Sequence, residues 1–522
     1  MSSIAKLICN KFGGIRQHNA VFSEELVTAE DMQNVEFYST TMGGVGIRTQ
    51  KGNAQFLNFA NEKIIGMFNC TQSQRDLLYI HTETNAEADN VGKLYVFDFN
   101  SNTLATIKED LSVTGISNGV SIAQGWSDLF VFTNGTDFFN VELAFSVDED
   151  NISTITPTIV DMSECKDVEE RTVNGIILAN FDGRLWVANG EVLWHSVQGD
   201  IDDFHTLETD VVTTAGYIEF TKKITAIANY LGSLAVFHSD SSELVSVDSN
   251  AKFSKGDESP GGCAGFNSLI FHGSELYFYD DTKKSIFSFK QVINGDKTLS
   301  DNLAIDIQSI LVEIKKDQLN SIRAMSVIME DHNEIWFLLP NKDANYSTII
   351  IFDYVRGEWL KRKSQRINCF CMCNYQTFSG GNNGKLYKEY TGNSFDGEFI
   401  QNYYHCSPLF LDEMNTLKVL KFPPRATLDL PFDNDFYVSY VKNFDTFRTP
   451  KVKQVKAKYK NVMIWDESEW SSLAWLMNKT NCIVKFPNAT FKSLEIQIYT
   501  QDLTQNFAIR NMELTKIKVK QV

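Results

Sequence analysis

Proline is scarce in this chain of 522 residues: there are nine, and six of them fall after residue 400. With 30 glycines and 43% apolar residues, the composition excludes collagen-like and disordered classes and supplies a sizeable core. No run approaches 18 consecutive apolar residues, so no membrane-spanning helix is expected. Met1 to Asn10 contains one lysine and no apolar stretch of signal-peptide length, so no leader is expected. Cysteine is sparse and odd in number, nine in all. Cys369, Cys371 and Cys373 alternate, would share one face of a strand, and cannot readily bridge one another there. The set reads as reduced thiols of a protein made in a cytoplasm.

Basic residues are also short, 48 against 66 acidic, for a net charge of −18. Such a chain is a poor candidate for wrapping nucleic acid, because phosphate contacts need Lys and Arg. The deficit is uneven. Residues 401–522 hold 17 basic and 12 acidic side chains, while residues 1–400 hold 31 and 54. Opposite balances, together with the length, point to two domains with different neighbours.

Recognisable catalytic signatures are missing too. The eight histidines are scattered and form no HExxH pair, and neither a Gly-x-Ser-x-Gly elbow nor a Walker loop occurs. The acidic stretch Gly199 to His205 fails as a calcium loop: counted from Asp200, the sixth position is His205 and the twelfth is Val211, where Gly and Glu are needed. It reads as a solvated turn. No catalytic, metal or cofactor residue is assigned, and no enzyme activity is expected.

What is present is a succession of short apolar or alternating runs, rich in aromatic and β-branched residues and broken by Gly, Asn, Asp and Ser. Seven hairpins are predicted. They pair Leu77–Ile80 with Lys93–Phe99, Asp128–Phe132 with Phe138–Leu143, Gly183–Val187 with Val192–Ser196, and Ser233–His238 with Glu243–Val247. The remaining three pair Glu275–Tyr279 with Ser285–Phe289, Glu334–Leu339 with Thr348–Asp353, and Cys369–Asn374 with Lys385–Tyr390. Asn134-Gly135 and Asn189-Gly190 supply the tight turns. First strands recur every 35 to 59 residues, the period of a β-propeller blade. The predicted fold is all-β: a propeller of six or seven blades over 61–400, a second β-rich domain over 401–522, and a lead-in segment over 1–60 that packs with the C-terminal domain. A series of β-sandwiches is the competing fold, but no linker divides the first 400 residues into units of about 100.

Two helices are predicted. Ile307, Ile310, Leu311 and Ile314 fall at helical spacing in Leu303–Lys316, with Asn302 as cap; Trp470, Leu473, Ala474 and Met477 do so in Glu467–Met477. The basic strip Lys451, Lys453, Lys456, Lys458 and Lys460 is the candidate interface. It suits docking onto an acidic partner surface or contact with passing nucleic acid, and also a solvated edge strand guarded by lysines. Lys361-Arg362-Lys363 with Arg366 reads as a surface turn. Trp126, Trp186, Trp194, Trp336 and Trp359 lie on or beside strands, where core packing explains them better than sugar binding.

Several segments resemble a known family. Phe12-Gly13-Gly14-Ile15-Arg16, then Ala29-Glu30-Asp31-Met32-Gln33-Asn34-Val35-Glu36 and Gly46-Ile47-Arg48, resemble the start of tail nozzle proteins of short-tailed bacteriophages, also called tail tubular, hub or packaged-DNA stabilisation proteins. Trp194 to Phe204 and Phe352 to Trp359 look like that family's blade elements. The resemblance implies a structural virion protein of the phage tail, synthesised in the host bacterial cytoplasm. It implies a homo-oligomer, a hexameric ring, docked on the head-to-tail adaptor (connector) and neighbouring tail fibre proteins. Double-stranded genomic DNA would pass through it without sequence-specific binding, and the ring would retain packaged genome until ejection. Two other functions compete. One is a carbohydrate-binding or depolymerising tail propeller, which needs an exposed aromatic and carboxylate groove. The other is a cellular protein-interaction propeller.

Overall fold

The computed structural model describes residues 4–9, 11–17, 26–39, 44–84, 91–124, 127–147, 153–207, 214–247, 252–291, 297–340, 343–409, 417–420, 425–428, 434–443, 451–457, 480–483 and 489–520. The chain forms two compact units. One comprises Gln55–Thr348 and Gln365–Glu389; the other comprises Met1–Ala54, Ile349–Ser364 and Tyr390–Val522. The strands form seven small sheets and one large one.

The seven small sheets are the blades of a β-propeller. In chain order they span 62–111, 118–161, 177–219, 226–260, 269–299, 323–365, and 367–389 completed by Asn53–Asn58. The first six each have four strands in chain succession, with a fifth short strand on the fourth blade, and the seventh takes its fourth strand from before the first blade. The residue pattern explains the stacking. In Ser127–Thr133 of the second blade, Phe130 and Phe132 join a cluster with Leu77, Tyr79 and Val96 of the first. Val131, between them, joins a cluster with Leu185, Val187 and Trp194 of the third. A strand buried on both faces by neighbouring blades reads as a continuous apolar run rather than an alternating one. The same division recurs in the third blade, where Leu185 and Val187 face the second and Trp186 and Ala188 face the fourth.

The ring closes between its last and first blades. Cys369, Cys371, Cys373 and Phe378 share one apolar cluster with Ile64, Met67, Leu78 and Ile80. The outer strand of the seventh blade, Asn53–Asn58, comes from before the first. The three alternating cysteines do share a face, and the face is core. Cys70, Cys165, Cys263, Cys369, Cys371, Cys373 and Cys406 are free thiols, and burial pushes those of Cys369 and Cys373 up to about 12.

Six of the predicted hairpins are the two middle strands of the first six blades. The seventh is corrected. Gln376–Gly381 is a strand lying between Ile367–Cys373 and Lys385–Glu389, so the two runs expected to pair are separated. Its sequence ends in two glycines, which resembled loop, yet a Cβ on Gly380 would stand 2.5 Å from the Ile64 side chain. Close approach to the first blade, not a turn, places that glycine there.

The helix expected over Leu303–Lys316 is also corrected. It is a 3-10 turn, Ile305–Ile307, followed by one short α-helix, Gln308–Val312. Its inward face is as expected, with Ile307, Leu311 and Ile314 buried. The helix ends on an i→i+3 bond, Ile314 N–H donating to Leu311 O at 3.1 Å, and just beyond it Ile314 O accepts Lys284 Nζ at 2.9 Å. Asn302 is not the cap: its Oδ1 accepts Ala304 N–H in a turn ahead of the element, and the cap positions Ala304 and Ile307 carry no side-chain cap. Glu467–Met477 lies outside the described residues.

The second unit contains a 14-stranded sheet built from both ends of the chain, together with Ile349–Ser364 of the sixth blade. Lys361, Arg362 and Lys363 belong to the strand Glu358–Gln365, not to a surface turn, and Arg362 is fully buried. Its guanidinium donates to Lys51 O at 2.9 Å and Gly52 O at 3.3 Å and lies over the Phe395 ring. A basic run signals exposure only until an arginine finds backbone carbonyls and an aromatic face to bury against.

Candidate functional site

Five strands of the body sheet lie side by side in the order Lys451–Ala457, Asn434–Lys442, Leu494–Tyr499, Tyr403–Cys406 and Leu26–Gln33. Alternation divides their residues between two faces. Phe436, Val438, Ile496, Ile498, Tyr404 and Met32 make one face and are buried. Tyr437, Ser439, Glu495, Gln497, Tyr403 and His405 make the other, which is polar.

One cluster on the polar face holds ligand-type groups. Antiparallel pairing sets His405 opposite Gln497, two residues from Glu495. On its other side the register slips between Ala29 and Asp31, so that Ala29 pairs with Cys406 and Asp31 with His405. Glu30 is the extra residue of this β-bulge. Bulges bend a strand and re-aim a side chain, and here Glu30 Oε2 comes to 4.0 Å from His405 Nε2. Glu495 Oε2 lies 3.6 Å from the same nitrogen. Contact with Glu495, with Glu30 and Asp31 nearby, holds the imidazole above its ordinary pKa against the opposing effect of burial. Asp31 itself is occupied: it accepts Tyr403 OH at 2.6 Å and binds Lys361 Nζ. Burial, then the charge of Asp31, pushes the Tyr403 phenol up. The only group of three potential metal-ligating side chains among the described residues is Glu30, His405 and Glu495. Sequence inspection counted His405 among scattered histidines. Nothing local marks it, because its partners come from positions 30 and 495.

The predicted lysine strip maps onto Lys451–Ala457, an end strand of this sheet. The register with Asn434–Lys442 is unbroken. Lys453 and Lys456, both exposed, therefore point to opposite faces. Lys453 lies opposite Val438, and Lys456 approaches Asp435 Oδ2 at 3.7 Å. Lys451 begins the strand; Lys458 and Lys460 lie outside the described residues.

Within the propeller, buried charges brace turns. Glu83 accepts Thr114 N–H at 2.9 Å and Gly115 N–H at 2.7 Å, and Lys63 reaches it at 3.0 Å. Asp167 accepts Trp194 Nε1 at 2.9 Å and Arg171 Nε at 2.7 Å. In the acidic turn, Asp203 accepts His205 and Thr206 N–H groups, and a shared hydrogen bond with Asp202 raises Asp200 to about 6. Trp186, Trp194, Trp336 and Trp359 are all buried; Trp126 lies outside the described residues.

No family model matches the chain, and no curated protein matches its sequence. Among solved structures it is similar to a streptogramin B lyase at 11% identity, covering 68% of this chain and 96% of that one, with a TM-score of 0.35. It is similar to a virginiamycin B lyase from Staphylococcus aureus at 11% identity, covering 64% and 97%, with a TM-score of 0.37. It is also similar to Sqt1 from Chaetomium thermophilum at 10% identity, covering 66% and 100%, with a TM-score of 0.40. At such identities and scores no substrate or partner transfers. No helix among the described residues is long and apolar enough to cross a membrane.

Proposed function

We propose that the protein is a structural component of a phage tail, a nozzle whose copies form a ring-shaped conduit for DNA ejection and retain the packaged genome beforehand. The observation that carries this reading is the division of charge between the two units. The unit that holds most of the propeller has 22 basic and 45 acidic residues, a balance of −23; the unit that holds the body sheet, with Ile349–Ser364 of the sixth blade, has 26 and 21, a balance of +5. A strongly acidic unit resists adhesion of DNA, and a body of opposite balance suits attachment to a different surface. The segments that resemble the nozzle family are structural parts of these units. Phe12 to Ile15 and Gly46 to Arg48 lie in body strands, and Trp194 lies in a middle strand of the third blade, Val192–His195.

The reading assigns the protein no catalytic turnover. Its partners are further copies of itself in a hexameric ring, the head-to-tail adaptor, tail fibre proteins, and DNA in passage. The carbohydrate reading needs exposed aromatic platforms, and the four described tryptophans are spent in the core. The test is electron microscopy of the purified full chain, alone and mixed with the adaptor of the same virion. Rings with a central hole, or particles seated on the adaptor, are expected. A persistent monomer that ignores the adaptor would sink the nozzle reading and send the protein to a glycan array.

A further inference from the structure

We propose that Glu30, His405 and Glu495 bind a divalent first-row metal cation of the Zn2+ type, which staples three neighbouring strands of the body sheet. The strands come from remote parts of the chain, Leu26–Gln33, Tyr403–Cys406 and Leu494–Tyr499. Each contributes one ligand, and the ligand atoms all lie within 4.8 Å of one another.

Three features favour a cation over a plain ion pair. The first is the donor set. One imidazole nitrogen and two carboxylates suit Zn2+ and its first-row neighbours, whereas Ca2+ and Mg2+ prefer oxygen throughout; three protein ligands leave a position for water. The second is Glu495. Its side chain is 10% exposed, and His405, at 3.6 Å, is its only side-chain partner among the described residues. A carboxylate has about four acceptor sites, so a nine-tenths buried one with a single long contact has capacity left for a cation. The third is the bulge. Register alone would set one acidic residue opposite His405; the inserted residue lets Asp31 serve Tyr403 and Lys361 while Glu30 turns to the histidine. Two carboxylates on one imidazole exceed what a single positive charge requires. A divalent ion matches them, and it stabilises the folded state by mass action because the three ligands converge only there.

The experiment is titration calorimetry of the full chain, stripped with a chelator, against ZnCl2 at pH 7.5. Thermal unfolding with and without the metal, and the visible absorption of added Co2+, give two further readouts. One saturable site per chain is expected, with a raised unfolding midpoint and a Co2+ band. Glu30→Gln, at a half-exposed position whose loss leaves the core intact, is expected to weaken binding by roughly tenfold or more, a loss that removal of even an outer-shell partner can bring. His405→Ala is expected to abolish the Co2+ band. His205→Ala, in the propeller, is expected to change neither. No saturable binding, or binding that Glu30→Gln and His405→Ala leave intact, would overturn the proposal. The outcome is independent of ring assembly, so failure here leaves the nozzle reading untouched.

Discussion

His81 is the residue most at odds with its surroundings. It is fully buried in the first blade, edge-on to Phe132 at 5.1 Å, and neither ring nitrogen has a hydrogen-bond partner among the described residues. Burial lowers its pKa to about 4, and the nearby Glu83 and Asp137 offset this only in part. Its folded pKa therefore lies below the unfolded value near 6.5. Between those values the unfolded chain binds a proton that the folded chain refuses. The stability contribution of the neutral ring is thus complete above pH 6.5 and is lost as pH falls toward 4. At pH 5 the loss from this one residue is about 2 kcal/mol. His195, also lowered to about 4 by burial and then Arg184, acts in the same direction. Urea unfolding at pH 7 and pH 5 checks this. The drop in midpoint between the two is expected to be smaller in His81→Leu than in the natural chain, and an equal drop would refute the assignment. At this scale sequence inspection saw little. It could name eight histidines, but which were buried, and that one would meet Glu30 and Glu495, depended on contacts between residues remote in the chain.

Among the elements, the strand Asn53–Asn58 has the largest consequence for its length. It completes the seventh blade although it precedes the first. Phe56 carries the junction: its ring lies 5.1 Å from Phe97 of the first blade and 5.2 Å from Phe378 of the seventh. Phe56→Ala removes the bridge and leaves a cavity between two blades, a change that costs about 3–4 kcal/mol for a buried aromatic. Phe56 is only part-buried, so the lower end is expected. The rest of the ring keeps its interblade clusters, so the loss should concentrate at the closure. Hydrogen exchange is expected to rise first in Gln376–Gly381 and Lys385–Glu389; a uniform rise over all blades would show that the ring opens as one unit. Elements were the scale at which the sequence was most legible. Middle strands of blades are apolar on both faces and flanked by turn residues, so six hairpins stood out. Innermost and outermost strands are shorter or more polar, and the closing strand draws its meaning from a partner more than 300 residues away.

For the molecule as a whole, the question is what the lysines of the end strand Lys451–Ala457 do. An end strand exposes unpaired backbone groups, and lysines there discourage unwanted strand pairing. The same lysines on a unit of balance +5 could engage the acidic unit, balance −23, of another copy or an acidic adaptor surface. Because Lys453 and Lys456 point to opposite faces, such docking would run along the sheet edge rather than across one face. Charge reversal separates the two roles. Glutamate guards an edge as well as lysine does, so Lys453→Glu with Lys456→Glu leaves a guarding role intact. Attraction to an acidic surface, in contrast, becomes repulsion. The Debye length of about 8 Å at physiological ionic strength confines the effect to close contacts and makes it sensitive to salt. Under the docking role, the double variant is expected to stay monomeric by sedimentation at low salt where the natural chain assembles, with part of the difference erased at high salt. Assembly equal to the natural chain at every salt concentration would leave these lysines as edge guards and move the search for the interface to other surfaces of the body.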